Sequence, residues 1–181
     1  MKVIGIDPGK TIGLCLYDGK EVLDACECKG DTAVLDARDV IDHWCSHERP
    51  EAIAIEWPRI YSKAGNDVAD TCIQTGMLWW LIGARTLPVH GKAPQWVASR
   101  SVHLHPLTRS EIVKELSDKM GQQVKTDAGV WAALLDLHGG KGVADKKFTK
   151  AEPGGPLGEL RGKPHARAAL AAAWVIASSP F

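Results

Sequence analysis

Two carboxylates stand where apolar strands end. Asp7 closes the run VIGID and is followed at once by Pro8-Gly9, and Glu56 closes the run AIAIE and is followed by Trp57-Pro58. A carboxylate at the end of a buried strand is costly to desolvate unless a cation binds it. Taken singly, Asp7 reads as a turn cap and Glu56 as a solvated strand end. Taken together, two such acids favour a shared divalent metal ion.

The elements that must position them follow from the apolar pattern. Residues 2–7 read as a strand, Pro8 to Lys10 as a turn, and residues 11–17 as a second strand with apolar residues at 12, 14 and 16. Asp18-Gly19 is a hairpin signal leading to a third strand at about 20–28, which makes an antiparallel meander. Val34, Leu35, Val40, Ile41 and Trp44 recur at helical spacing over 32–47, with Asp31 or Thr32 placed to cap the start. The run 52–56 is short and continuously apolar, as in a strand covered on both faces of a sheet. Residues 66–87 read as a long apolar helix, LPVHG (87–91) as a strand or loop, 101–105 as a strand, and 109–118 and 124–138 as helices. An alanine-rich helix over 164–177 has proline at its first turn. In this order of elements the first and fourth strands lie side by side in the middle of the sheet, which brings Asp7 and Glu56 within reach of one ion.

The whole chain, 1–181, reads as a single α/β domain, since 181 residues at 45% hydrophobic suffice for one sizeable core. Residues 139–163 are rich in Gly, Pro and Lys without apolar periodicity and read as a mobile loop. No run is long enough to span a membrane and no apolar signal region opens the chain, so the expected location is cytoplasmic. The five cysteines read as reduced, mostly buried thiols. Net charge is zero, which argues mildly against a nucleic-acid binder. Its distribution points the other way. Residues 1–89 hold 9 Lys and Arg against 14 Asp and Glu, and residues 90–181 hold 13 against 8, an asymmetry that suits an acidic metal centre beside a surface that meets phosphates.

The opening IGIDPGKTIGLCLYDG, the strand AIEWP and the helix segment YSKAGNDVADTCIQTGMLWWLIGA resemble the RuvC-type Holliday junction resolvases of the RNase H-like superfamily, strongly to about residue 85 and loosely thereafter. The resemblance implies an RNase H-like fold whose central mixed five-stranded sheet has three antiparallel strands, then parallel ones, flanked by helices. It implies a magnesium-dependent endodeoxyribonuclease that cuts four-way or other branched DNA as a homodimer, using two magnesium ions for which manganese can substitute. Two such ions clamp the attacking and leaving oxygens of an in-line displacement at phosphorus. The resemblance places the first acid at Asp7, bridging both ions, and the second at Glu56, and Gly9 is expected to admit backbone or DNA close by.

On the last helix the pattern breaks. Relatives carry an Asp there, often preceded three residues earlier by an Asp or His, and that spacing shares one helix face. In KPHARAALAAAWV the earlier position is His165, expected as a metal ligand, and the later one is Ala168, where an Asp is expected. This is either a natural loss or a deliberate Asp to Ala exchange, and the intact remainder of the constellation favours the exchange. Asp127 and Asp136 are not expected as ligands.

The resemblance assigns a junction-wedging residue to the loop after Glu56, where Arg59, Tyr61 and Lys63 stand, and an aromatic such as Tyr61 there can stack on an exposed base. Arg109, Lys114, Lys125, Lys146 and Lys147, with Lys150, are candidate phosphate contacts, and a solvated surface is the plainer alternative. The succession Met77, Leu78, Trp79, Trp80, Leu81 exceeds what one core face needs and suggests a dimer interface. Two other functions compete. An actin or sugar-kinase type ATP site needs a second domain that this length does not supply, and no Walker-type loop is present. A non-cleaving module for branched DNA or a protein partner, with a degenerate nuclease site, is compatible with Ala168.

Overall fold

The computed structural model describes residues 1–58, 66–86, 102–138 and 156–179. β1 (Val3–Asp7), β2 (Thr11–Tyr17) and β3 (Val22–Lys29) form the expected meander. Its second turn is closed by Asp18, whose Oδ1 accepts the N–H groups of Lys20 and Glu21 at 2.8 and 2.9 Å, and Gly19 adopts φ 96° as such a turn requires.

α1 (Ala33–His47) follows and buries Val34, Ala37, Ile41 and Trp44. Thr32 occupies its N-cap position without capping: its hydroxyl donates to Asp36 Oδ2 at 2.8 Å instead. β4 (Ala52–Trp57) and α2 (Asn66–Thr86) lie close to expectation. β5 (His103–Thr108) runs further than the expected 101–105, through Pro106. This is an edge strand, where proline's missing N–H costs no ladder bond. Thr108 then caps α3 (Arg109–Met120) in a reciprocal box with Glu111, and Thr126 caps α4 (Asp127–Leu137), which explains why α4 begins later than its apolar pattern does. α5 (Pro164–Ser178) is the expected alanine-rich helix with proline in its first turn.

The sheet order is β3-β2-β1-β4-β5, the first three antiparallel, with β4 and β5 parallel to β1. β1 and β4 are neighbours in register, Ile6 beside Ile55. The two faces of the sheet differ in side-chain size. Ile4, Ile6, Ile12, Leu14, Leu16, Ile53 and Ile55 fill the face under α1 and α2. The opposite face carries small residues where α5 crosses it: a Cβ on Gly5 would collide with the Ala169 carbonyl, and one on Gly13 with the His165 backbone. Ala166, Ala169, Ala172 and Ala173 complete this close contact from the helix side. The approach seats the first turn of α5 against the sheet.

All five cysteines are free, three of them buried. Among the described residues no helix is long and apolar enough to cross a membrane. Residues 139–155 of the segment read as a mobile loop lie outside the described residues, as does 87–91. The end of that loop is packed: Val22 N–H donates to the Pro156 carbonyl at 2.8 Å, a single 3-10 turn spans Gly158–Leu160, and Leu160 is buried.

Candidate active site

Asp7 and Glu56 end adjacent parallel strands, and both open into one cavity of about 670 Å³. Alternation along each strand turns Asp7 to the face of Gly5 and Glu56 to that of Ala54, the face that α5 crosses. Because Gly13 admits the His165 backbone, the His165 ring reaches Asp7, with Nδ1 3.1 Å from Oδ2. An ionised carboxylate only accepts, so Nδ1 carries the hydrogen. The His165 N–H in turn donates to Glu27 Oε1 at 2.8 Å, so a buried acid from β3 serves the start of α5, whose own N-cap position, Lys163, makes no side-chain cap.

Arg109, the first residue of α3, reaches in from the far side. Its Nη1 lies 3.6 Å from Glu56 Oε2, and its Nη2 pairs closely with Asp127 at the start of α4. Ala128, Val130, Trp131, Pro164, Arg167 and Ala168 line the remaining wall. Ala168 therefore shares the cavity with Asp7, Glu56 and His165. The Arg167 guanidinium lies over the Trp131 ring, 4.7 Å from its centroid.

Burial dominates the electrostatics. It pushes the Glu56 carboxyl up to about 7, against the pull of Arg109 and with repulsion from Asp7 and Asp127 adding to the rise. It also raises Asp7, with the hydrogen bond and charge of His165 opposing. The hydrogen bond to Asp7 lifts His165 above its ordinary value. On Glu27 burial acts upward, but the His165 N–H and Lys29 outweigh it and hold that carboxyl low.

Two half-buried, partly compensated carboxylates offer hard oxygen donors of the kind that suit magnesium or manganese. In this arrangement His165 engages one and Arg109 the other, and among the described residues no three His, Cys, Asp or Glu side chains stand together as a ready-made cage. Asp7 and Glu56 have the donor chemistry a divalent ion would need. Ala168 offers no ligand for a second.

Of the expected site residues, Asp7, Glu56, His165, Ala168 and Arg109 come together. Arg109 stands among the acids of the cavity instead of on an outer DNA-facing surface. Lys114 pairs with Asp118 on the exposed side of α3, and Lys125 is exposed just before α4. Arg59, Tyr61, Lys63, Lys146, Lys147 and Lys150 lie outside the described residues. Asp136 is exposed, whereas Asp127, also set aside as a ligand from sequence, lines the cavity. The close-approach glycines are Gly5 and Gly13; a Cβ on Gly9 would meet only ordinary contacts. Trp131, Arg167 and Glu27 were not foreseen. Arg167 had a signal, since it shares the first turn of α5 with His165. Glu27 and Trp131 had none, because their elements reach the site only through the fold.

No protein-family model matches the chain. Among curated proteins it is similar to the crossover junction endodeoxyribonuclease RuvC of Frankia casuarinae, 27% identical over 172 residues, covering 86% of this chain and 99% of the relative. The RuvC of Mycolicibacterium smegmatis is 28% identical over 154 residues, covering 76% and 82%. Among solved structures, Thermus thermophilus RuvC in complex with a Holliday junction substrate superposes with a TM-score of 0.59 at 16% identity, over 96% of this chain and 90% of that one. The yeast mitochondrial Holliday junction resolvase Ydc2 superposes with a TM-score of 0.52 at 15% identity, over 97% and 79%. The chain thus resembles the RuvC-type resolvases in sequence along most of its length and has their RNase H-like fold.

Proposed function

We propose that this chain, a relative of the RuvC-type crossover junction endodeoxyribonucleases, is a structure-selective DNA endonuclease that resolves four-way or similarly branched junctions by hydrolysing phosphodiester bonds. The observation that carries this reading is the meeting of Asp7, Glu56, His165 and Ala168 in one cavity on a fold shared with resolvases.

Asp7 and Glu56, with His165 beside Asp7, would hold magnesium or manganese. A divalent ion so held supplies Lewis acidity and a water-derived nucleophile. The chain's own groups do the rest. His165 orients the Asp7 carboxylate through Nδ1, Glu27 holds the first turn of α5 against β3, and Arg109 keeps Glu56 and Asp127 from repelling each other across the cavity. Ala168 contributes no carboxylate, so the form described cuts slowly for want of a complete two-ion ligand set. Two-fold related cutting calls for a homodimer, and Ile73, Met77 and Trp80, large apolar side chains exposed on α2, support one.

The test compares the protein as it stands with Ala168→Asp, using a labelled four-way junction and a linear duplex of the same sequence. Both proteins are expected to bind the junction in preference to the duplex, more weakly as salt rises. Ala168→Asp is expected to cut at least about 100-fold faster in magnesium, the scale of one transition-state charge contact. Equal, fast cutting by both, or none by a well-folded Ala168→Asp variant, places the missing ligand elsewhere. No preference for the branched substrate removes the resolvase reading.

A further inference from the structure

We infer that Arg167 is a catalytic residue: its guanidinium meets the phosphate being cut and supplies positive charge on the wall where Ala168 leaves no acid to hold a second cation. The inference rests on the nuclease reading above.

It comes from accounting for the charges around the cavity. Asp7 is engaged by His165, and Glu56 and Asp127 are both engaged by Arg109. Those pairings give each acid of the cavity a hydrogen-bond or ion-pair partner and leave Arg167 over. No described carboxylate forms an ion pair with it, and Glu27 acts on it only at longer range. Yet it is placed by two contacts: one face rests on Trp131, 4.7 Å from the ring centroid, and Nε donates a long hydrogen bond to the Leu160 carbonyl at 3.4 Å. Among the described residues its two Nη groups have no hydrogen-bond acceptor. A half-buried guanidinium, contacted at its face and base, with its fork of donors uncommitted beside a cavity, is arranged for a planar oxyanion partner. Phosphate is the anion that the proposed reaction brings there. Arg167 adjoins Ala168 in the chain, and Pro164 and His165 put the positive end of α5 in the same wall.

In the hydrolysis one bond forms from the water oxygen to phosphorus and one phosphorus–ester oxygen bond breaks. Water gives up a proton, and the departing alkoxide takes one up. Arg167 keeps its protons throughout and acts by charge and hydrogen bonding to the phosphoryl oxygens, where negative charge gathers.

A residue that merely covers Trp131 predicts something different from a transition-state contact. Arg167→Gln and Arg167→Lys are made in the protein as it stands and in Ala168→Asp, with folding checked by circular dichroism. Three quantities are measured: single-turnover cutting of a four-way junction in magnesium, junction affinity without divalent ions, and manganese affinity by calorimetry. Arg167→Gln is expected to slow cutting by about 100-fold. Junction affinity, spread over many phosphate contacts, is expected to fall by no more than about threefold, and manganese affinity is expected to hold or rise. Arg167→Lys keeps the charge and is expected to retain more activity than the glutamine variant. In the Ala168→Asp background the glutamine exchange is expected to cost less than about tenfold, since the new carboxylate holds a cation on that wall and the two sites are coupled.

Undiminished cutting by Arg167→Gln overturns the inference. So does an affinity loss as large as the rate loss, or an equal cost in both backgrounds. A protein that binds junctions and never cuts them also overturns it while leaving branched-DNA recognition standing, whereas a protein indifferent to junctions fails at the level of the nuclease reading.

Discussion

At the scale of single residues the site is governed by how much charge a sheet end tolerates. Glu56 is the clearest case, with a folded-state value of about 7 against an ordinary 4.5. A carboxyl whose folded value is raised binds its proton more tightly in the native state, so its stabilising contribution is complete below about 4.5 and is lost as pH rises through about 7. His165, raised by Asp7, works in the same direction from its own ordinary value of 6.5 upward. The metal-free protein is therefore expected to melt at progressively lower temperature as pH increases from about 5 to 8 in chelator. Glu56 accounts for on the order of 3 kcal/mol of the change. Glu56→Gln, which cannot ionise, is expected to flatten much of that slope. Thermal melts at matched ionic strength check this, and an unchanged slope in the variant would show that Glu56 is ionised and well solvated at pH 5.

At the scale of elements the decisive contact is between α5 and the sheet. It depends on two strand positions without side chains. Gly13→Ala would thrust a methyl group into the backbone of His165, which neither the helix nor β2 can yield without moving. The expected cost is about 3 kcal/mol or more of stability, a melting temperature lower by roughly 5–10 °C at this chain length. Residual folded protein is expected to lose the His165 to Asp7 contact as well. Nuclear magnetic resonance titration of the His165 ring detects that loss as a fall of its titration midpoint toward 6.5. A Gly13→Ala variant as stable as the parent would mean that α5 sits further from the sheet than described.

At the scale of the whole molecule the question is assembly. On α2, Leu78 and Ile82 face the core, while Ile73, Met77 and Trp80 stand on one stripe with 61%, 47% and 68% of their surfaces exposed. The succession Met77 to Leu81 wraps round the helix, so its five side chains cannot all face one way. The outward stripe is 73, 77 and 80, spaced by a helical turn. Such a stripe on an exposed helix is a candidate two-fold interface. The protein is expected to sediment as a dimer at micromolar concentration. Trp80→Glu is expected to weaken dimerisation by at least about 30-fold, the scale of losing a central aromatic anchor, with the far-ultraviolet spectrum unchanged. A monomeric parent at tens of micromolar would rule this surface out.

Much of the architecture is legible in the amino-acid sequence. Period-two and period-3.6 apolar patterns, the Asp18-Gly19 turn and the Pro164 helix start are local signals, and local sterics and burial act the same way wherever the segment sits. Asp7 and Glu56 could be paired from the chain alone because each ends an apolar strand, and a buried strand end makes a carboxylate conspicuous. Ala168 stood out only against the resemblance, since nothing in an alanine-rich helix marks one alanine as a missing acid. Tertiary structure alone decided the rest. Arg109 turned inward to the acids, Asp127 entered the cavity, Glu27 reached α5 across the sheet, and Trp131 came under Arg167. Each of these contacts joins residues separated in the chain, and those that Glu27 and Trp131 make with α5 depend on the close packing of small residues between α5 and the sheet, a property of two surfaces meeting that no single segment displays.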